Sequence, residues 1–322
     1  MIGVILLNLG GPDSLQAVKP FLYNLFSDRD IIRLGPSFLQ RPIASLIINL
    51  RLKKTKEAYS LIGGKSPLVD ITWAQAKALE TSLNSLPVTR DAPRSFRVSA
   101  GMRYWHPYMD DAIKAMSSAG IDKIVALGLY PHYSIATTGS SVKKFKEIAA
   151  HYPVKYSCTT SWFDHPLYID SLVEKIGQGM EAFGEKPAVL FSAHSLPRKF
   201  IDAGDPYVRE IQGTIDAIIR EIDIQWYLSF QSKTGPVKWL EPTTEHMLHE
   251  LAGKGVKNLL VVPISFVSDH IETLYEIDIL YKDMAQGLGI TMKRMESLNT
   301  SPKFIEALAD LVITDVKNAG WT

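Results

Sequence analysis

The feature that most narrows the fold is a repeat within the chain. At one constant offset of 135, Pro107 falls on Pro242, Gly120 on Gly255, Ile124 on Leu259 and Tyr130-Pro131 on Ser265-Phe266, with no gap. The opening strand and turn, VILLNLGGP, echo AVLFSAHSLP at 188–197, so that Pro12 matches Pro197 and Leu9 matches His194. A period this long does not build a solenoid. It predicts two similar α/β domains facing one another, each a Rossmann-like parallel sheet flanked by helices, with a cleft that receives strand ends from both. The expected division is 1–155 together with a C-terminal helix over 303–322, against 156–302.

Strands are expected at Gly3–Asn8, Val98–Gly101, Lys123–Leu129, Ala188–Ser192, Tyr227–Gln231 and Leu259–Val262, several of them apolar throughout, as in strands buried on both faces. Helices are expected over Ser14–Ser27 and from His106-Pro107 through Met116. Ligands of open α/β sheets bind beyond the carboxyl ends of the strands. That singles out the turns bearing Leu9 and Gly10, His194 and Ser195, and Asp269, His270, Glu272 and Glu276. Glu272 and Glu276 stand one helical turn apart, where like charges repel by roughly a few tenths of a kcal/mol, and an external cation would relieve them. The competing reading is structural: Asp269 caps the helix and Glu272, three residues on, completes a capping box. A lone histidine such as His194 is ordinarily just a hydrogen-bonded residue. Tyr130, Tyr133, Trp239 and Phe266 lie at or beyond strand ends and suit either a broad, flat apolar ligand or the closing of a core.

Several classes are excluded. With 46% hydrophobic and 21% charged residues in 322, the chain is an ordinary globular protein with material for two domains. A net charge of +1 gives no general pull towards nucleic acid. The single cysteine, Cys158, allows neither an intrachain disulfide nor a cysteine metal cluster and suits a reducing, cytoplasmic compartment. No signal peptide or spanning helix is expected. GGKSP at 63–67 lacks the remaining spacing of a phosphate-binding loop.

Residues 36–50 are unusually apolar for a segment holding two prolines. Phe38, Leu39, Ile43, Leu46, Ile47 and Ile48 are either core or an exposed lip that touches a membrane surface. Arg51, Lys53, Lys54 and Lys56 follow, which suits an anionic membrane, a ligand with carboxylates or a plain solvated face.

NLGGP at 8–12, MRYWHP at 102–107, YPHYSIATTGS at 130–140, FSAHSLP at 191–197, QSKTGPVKWL at 231–240 and SDHIETLYE at 268–276 together resemble the motifs of the ferrochelatases, in that family's order. The resemblance runs from about Ile2 to Asp310. It implies the chelatase fold, with porphyrin and ferrous iron as substrates and protohaem as product. It also implies that His194 and Glu272 are the active-site pair, and that His270, Asp269 and Glu276 lie on the metal path. Arg51 and Ser66 would hold propionates, while Leu9, Tyr130, Ser195, Trp239 and Phe266 would line the pocket. Arg103, Tyr104 and His106 match a further active-site motif.

Three departures qualify it. Family members often carry an acid where this chain has Leu280, which shortens the acidic row. Many carry a cysteine-bearing tail that holds an iron–sulfur cluster; with Cys158 alone, no cluster and no tightly bound cofactor are expected. His132 stands where Gln is common. Metallation removes two pyrrole protons and needs weak, exchangeable oxygen or nitrogen ligands, which histidine and glutamate supply. Readings left open are coproporphyrin as substrate, cobalt or nickel as metal, a haem carrier without turnover, and a two-lobed binding protein of the exported type. The sequence fixes no oligomeric state.

Overall fold

Apolar runs alternating with amphipathic helices close into two parallel sheets, one in each of two units. The computed structural model describes residues 1–32, 34–86, 95–233, 235 and 237–321; Thr234 and Pro236 of the QSKTGPVKWL turn lie outside them. The first unit comprises Met1–Trp162 and Asn299–Thr322, the second Phe163–Leu298. In the first, β1 (Ile2–Asn8), β2 (Phe96–Met102), β3 (Lys123–Gly128) and β4 (Lys155–Thr159) lie in the order β2-β1-β3-β4. In the second, β5 (Ala188–His194), β6 (Trp226–Gln231), β7 (Asn258–Val262) and β8 (Thr291–Arg294) lie in the order β6-β5-β7-β8. All neighbours are parallel, so every strand points its carboxyl end to the same edge of its sheet.

The repeat is written into the register. Gly3 of β1 pairs with Ile124 of β3, and Ala188 of β5 pairs with Leu259 of β7, the equivalences that the two sequence offsets require. Helices Met109–Ser118 and Thr244–Gly253 occupy matching positions, each followed by a glycine in the left-handed region, Gly120 (φ 73°) and Gly255 (φ 79°). Pro107 and Pro242 both follow cis peptide bonds. The cores correspond side chain by side chain: Ile5, Ile113, Met116 and Ile124 in one unit, Leu190, Leu248, Leu251 and Leu259 in the other.

The boundary expected at 155/156 falls instead at 162/163. Lys155–Thr159 is β4, which pairs with β3, and the Trp162 indole N–H donates to the Gly128 carbonyl at 3.0 Å. The C-terminal helix, Pro302–Asn318, belongs to the first unit and buries Phe304, Leu308, Val312 and Val316. The first helix begins at Val18 rather than Ser14, because Ser14 closes a turn by accepting the Ala17 N–H. The helix expected from His106 begins at Met109, because the Pro107 carbonyl is held beside β2 by the Met102 N–H at 2.7 Å.

Residues 36–50 prove to be both core and rim. A short 3-10 turn, Ser37–Leu39, runs into the helix Gln40–Leu61. Ala44 and Ile48 are buried as this helix packs on Val18–Ser27, and the Gln40 amide donates to the carbonyls of Phe26 and Ile32. Phe38 (77% exposed), Leu46 (61%) and Leu50 (76%) lie open. Among the described residues no helix is long and apolar enough to cross a membrane.

Candidate active site

The groups fit for chemistry gather at the carboxyl edge of the second unit's sheet. His194 is the last residue of β5. Its main chain is fixed at both ends, the N–H donating to Ser265 Oγ at 2.9 Å and the carbonyl accepting from Tyr207 Oη at 2.9 Å. The ring is thereby aimed without any bond of its own: Nδ1 is buried and makes no hydrogen bond. Phe266 meets His194 edge-on, with ring centroids 6.0 Å apart, and meets His270 edge-on at 4.2 Å. His270 Nδ1 lies 2.9 Å from the Ser268 carbonyl and therefore carries a proton, since a carbonyl oxygen only accepts. Its Nε2 stands 3.0 Å from Glu272 Oε2, an ion pair without hydrogen-bond alignment.

Burial and charge push these groups apart in protonation. Burial lowers the His194 pKa and His270 adds to this, with Glu272 opposing, so the ring is neutral near pH 7. Burial also works against the imidazolium of His270, but Glu272 outweighs it and the pKa is raised. Glu272 is the converse case: burial opposes its charge, the His270 imidazolium prevails, and the carboxyl is held down to about 2. Glu276 is pushed up to about 7, first by burial and then by Glu272. Two carboxylates on one segment thus hold different charge states at the same pH.

That segment is not the α-helix expected. Glu272–Tyr281 is a π-helix, which buries Thr273, Ile277 and Tyr281 at every fourth position. Glu272 and Glu276 form an adjoining row that Leu280, 41% exposed, continues outward. The capping box does not form; Thr273 Oγ1 instead accepts the His270 N–H at 3.0 Å. Asp269 Oδ1 is engaged by Arg294 Nη1 at 2.9 Å, Ser297 Oγ at 2.7 Å and Thr273 Oγ1 at 3.3 Å, so its carboxylate is tied to β8.

Two residues not singled out in the sequence, Gln231 and Ser232, hold Glu276, and a third, Ser192, orients Gln231. Ser192 donates to Gln231 Oε1 at 2.7 Å, and Gln231 Nε2 donates to the Glu272 carbonyl at 3.0 Å and to Glu276 Oε2 at 3.2 Å. Ser232, in a left-handed backbone conformation at φ 68°, donates its hydroxyl to Glu276. Gln231 and Ser232 open the QSKTGPVKWL motif, so that motif was the available signal. Ser195 is buried beside His194, and the neighbouring Trp239 strand bridges to Pro197 while its indole N–H is buried without a partner.

The other pocket candidates lie in the first unit. Leu9, just past β1, accepts the Tyr104 N–H. Arg103 is engaged by Asp28 at 2.6 Å, and Tyr104 donates to the same carboxylate at 2.6 Å, so both are committed within this unit. Ser66 is buried against the backbone of Gly11, where a Cβ would come within 2.4 Å of Ser66 Oγ; glycine is required for that approach. Arg51 is exposed, its guanidinium 5.9 Å from the centroid of the Phe26 ring. Tyr130 is half-buried, with burial raising its pKa, and His106 is exposed. Burial drives His132 down to about 3, which keeps it a neutral core residue. Among the described residues no three His, Cys, Asp or Glu side chains converge to hold a metal ion.

Comparison with known proteins shows the family and the fold. The Ferrochelatase family model matches residues 1–316. A Ferrochelatase of Geotalea daltonii is 50% identical over 323 residues, covering 98% of either chain. One of Synechocystis sp. is 46% identical over 331 residues, covering 100% of this chain and 84% of the other. Among solved structures, SirB from Bacillus subtilis with Fe3+ superposes with a TM-score of 0.59 at 12% identity, covering 99% of this chain and 97% of that one. CbiX, the terminal enzyme of sirohaem biosynthesis in denitrifying bacteria, gives a TM-score of 0.50 at 12% identity, covering 97% of each chain. At such identities the likeness is one of fold alone, and the fold is that of the chelatases.

Proposed function

Because the chain belongs to the ferrochelatase family, we propose that it inserts ferrous iron into protoporphyrin IX, giving protohaem and two protons. The observation that carries the reading is a half-buried imidazole, His194, aimed from a strand end by its main chain and lowered in pKa, on the same sheet edge as Glu272, held down to about 2, and Glu276, pushed up to about 7. Each turnover exchanges two pyrrole protons for one divalent ion, so a base must be free and the metal must be held weakly. His194, with Nδ1 unengaged, accepts a pyrrole proton. Glu272, ionised against His270, offers oxygen to the incoming iron, and Glu276 carries the row outward as an exchangeable oxygen ligand. Phe266 and Trp239 supply flat apolar walls to the macrocycle.

Two further parts of the reading concern surroundings. The open Phe38, Leu46 and Leu50, followed by Arg51, Lys53 and Lys54, support peripheral contact with an anionic membrane, the phase into which a poorly soluble planar substrate partitions. Cys158 is the sequence's one thiol and burial pushes it up to about 11, which supports a chain without an iron–sulfur cluster in a reducing cytoplasm.

The test is an anaerobic assay of the purified protein with ferrous iron and either protoporphyrin IX or coproporphyrin, followed by loss of free-base fluorescence. Metallation of protoporphyrin is expected. Haem binding without turnover would make the chain a carrier, and turnover with cobaltous ion alone would reassign the metal.

A further inference from the structure

A π-helix of ten residues requires an explanation, because such helices occur mostly as single-turn bulges within α-helices. The repeat supplies an internal control. The corresponding segment of the first unit is a π turn of only five residues, Ile135–Gly139, after which the chain reverts to the α-helix Ser140–Ala149. The two copies share a strand order, and they differ in what holds the segment after the third strand of each sheet.

In the second unit it is held by Arg294, the last residue of β8. Its guanidinium makes a two-pronged contact with Asp278, Nε to Oδ1 at 2.9 Å and Nη2 to Oδ2 at 2.8 Å. Its Nη1 turns the other way, donating to Asp269 Oδ1 at 2.9 Å, with Ser297 Oγ and the Met295 carbonyl each at 3.2 Å. The Arg294 side chain is only 10% exposed. Asp269 directly precedes His270, and Asp278 lies two residues beyond Glu276, so one side chain brackets the whole row. The strand register puts Cys158 in the place of Arg294, since Ala126 pairs with Cys158 as Val261 pairs with Arg294, and at the offset of 135 Ser134 and Lys143 stand where Asp269 and Asp278 do. Lys143 bonds Asp30, and a thiol in the arginine's place cannot bridge two carboxylates. The copy without the clamp is the copy whose π segment is short.

We propose that Arg294 is a positioning residue for metal handling: by bridging Asp269 and Asp278 it holds Glu272–Tyr281 in π register and so fixes His270, Glu272 and Glu276 relative to one another. The inference rests on the reading that this row handles iron. Arginine is required in the role, because a lysine ammonium is a single point of charge and cannot reproduce a planar fork spanning two carboxylates. Residues that orient metal ligands typically cost about 10–100-fold in metal affinity or activity when removed, and an effect of that order is expected here.

The experiment compares the parent with Arg294→Met, Arg294→Lys and Asp278→Asn. Steady-state KM for ferrous iron and for porphyrin are measured separately, with thermal melting alongside. Arg294→Met is expected to raise the iron KM about tenfold or more while leaving the porphyrin KM unchanged. Arg294→Lys should recover melting temperature without recovering the iron KM. Asp278→Asn, which keeps the guanidinium paired with Asp269, should shift the iron KM in the same direction and add little in the double variant. If Arg294→Met does not fold, Asp278→Asn carries the test. Iron and porphyrin KM moving together, or lysine restoring iron KM along with stability, overturns the proposal and leaves Arg294 purely structural. Titration of cobaltous ion onto the same proteins reads the row without turnover. A parent that binds cobalt but metallates no porphyrin defeats the functional reading alone; variants that bind cobalt like the parent defeat the clamp alone.

Discussion

At the scale of single residues, His194 and Glu276 show how placement converts ordinary side chains into reagents. His194 is held through its main chain, and Nδ1 has no partner to lose. His194→Ala is therefore expected to fold with melting unchanged or slightly raised, and to bind porphyrin, while metallation falls by at least about 10²-fold, the usual scale of general-base assistance. Turnover near that of the parent would remove His194 from the chemistry. Glu276 gives a prediction with a definite sign. Its carboxyl is lifted from the ordinary 4.5 to about 7. Between those values the folded chain binds more protons than the unfolded one, so this residue's contribution to stability falls as pH rises through that window. Glu276→Gln removes the fall: melting should match the parent near pH 4.5 and exceed it at pH 8, by no more than about 3 kcal/mol. Iron use at low concentration should worsen. Melting that drops at pH 8 with iron use intact would make Glu276 a structural residue.

Elements answer questions that residues leave open. The helix Gln40–Leu61 divides an apolar stretch between two fates, because its 3.6-residue period turns Ala44 and Ile48 inward on Val18–Ser27 and leaves Leu46 and Leu50 outside, while Phe38 lies open in the 3-10 turn before it. A membrane test must respect that division. Substituting serine at Phe38, Leu46 and Leu50 should abolish cosedimentation with anionic vesicles and leave melting unchanged, whereas Ile48→Ser, placing a hydroxyl in the core, should destabilise by about 2–4 kcal/mol. A triple variant that still cosediments would sink the rim as a membrane contact. The π segment makes a related point. Counting residues along 268–276 puts Glu272 and Glu276 on one face whether the helix is α or π, so the row was legible, but the helix type depends on Arg294, which lies 16 residues beyond Asp278 in sequence and 2.9 Å from it in space.

Across the whole molecule, the chain crosses into its second unit at Phe163 and returns to the first at Asn299. The returning helix buries Phe304, Leu308, Val312 and Val316, each worth about 1.5–3 kcal/mol, a sum that approaches the entire margin of an ordinary domain. Deletion of residues 299–322 should therefore unfold the first unit, read as loss of its protected amides in hydrogen exchange; retention of that protection would refute the packing assignment. By itself the sequence determined the two-copy architecture, the parallel strands and the strand-end location of His194 and of the acidic row, because periodicity, glycine and proline placement and apolar runs are local and recur in both copies. Only the tertiary structure decided that β4 and Trp162 belong to the first unit, that Asp269 is held by Arg294, that Arg103 and Tyr104 are committed to Asp28, and that the pKa values of Glu272 and Glu276 are driven apart. The physical reason is common to all four. Pairing, desolvation and charge coupling depend on distances between residues remote in sequence, and those distances exist only once the sheets have formed.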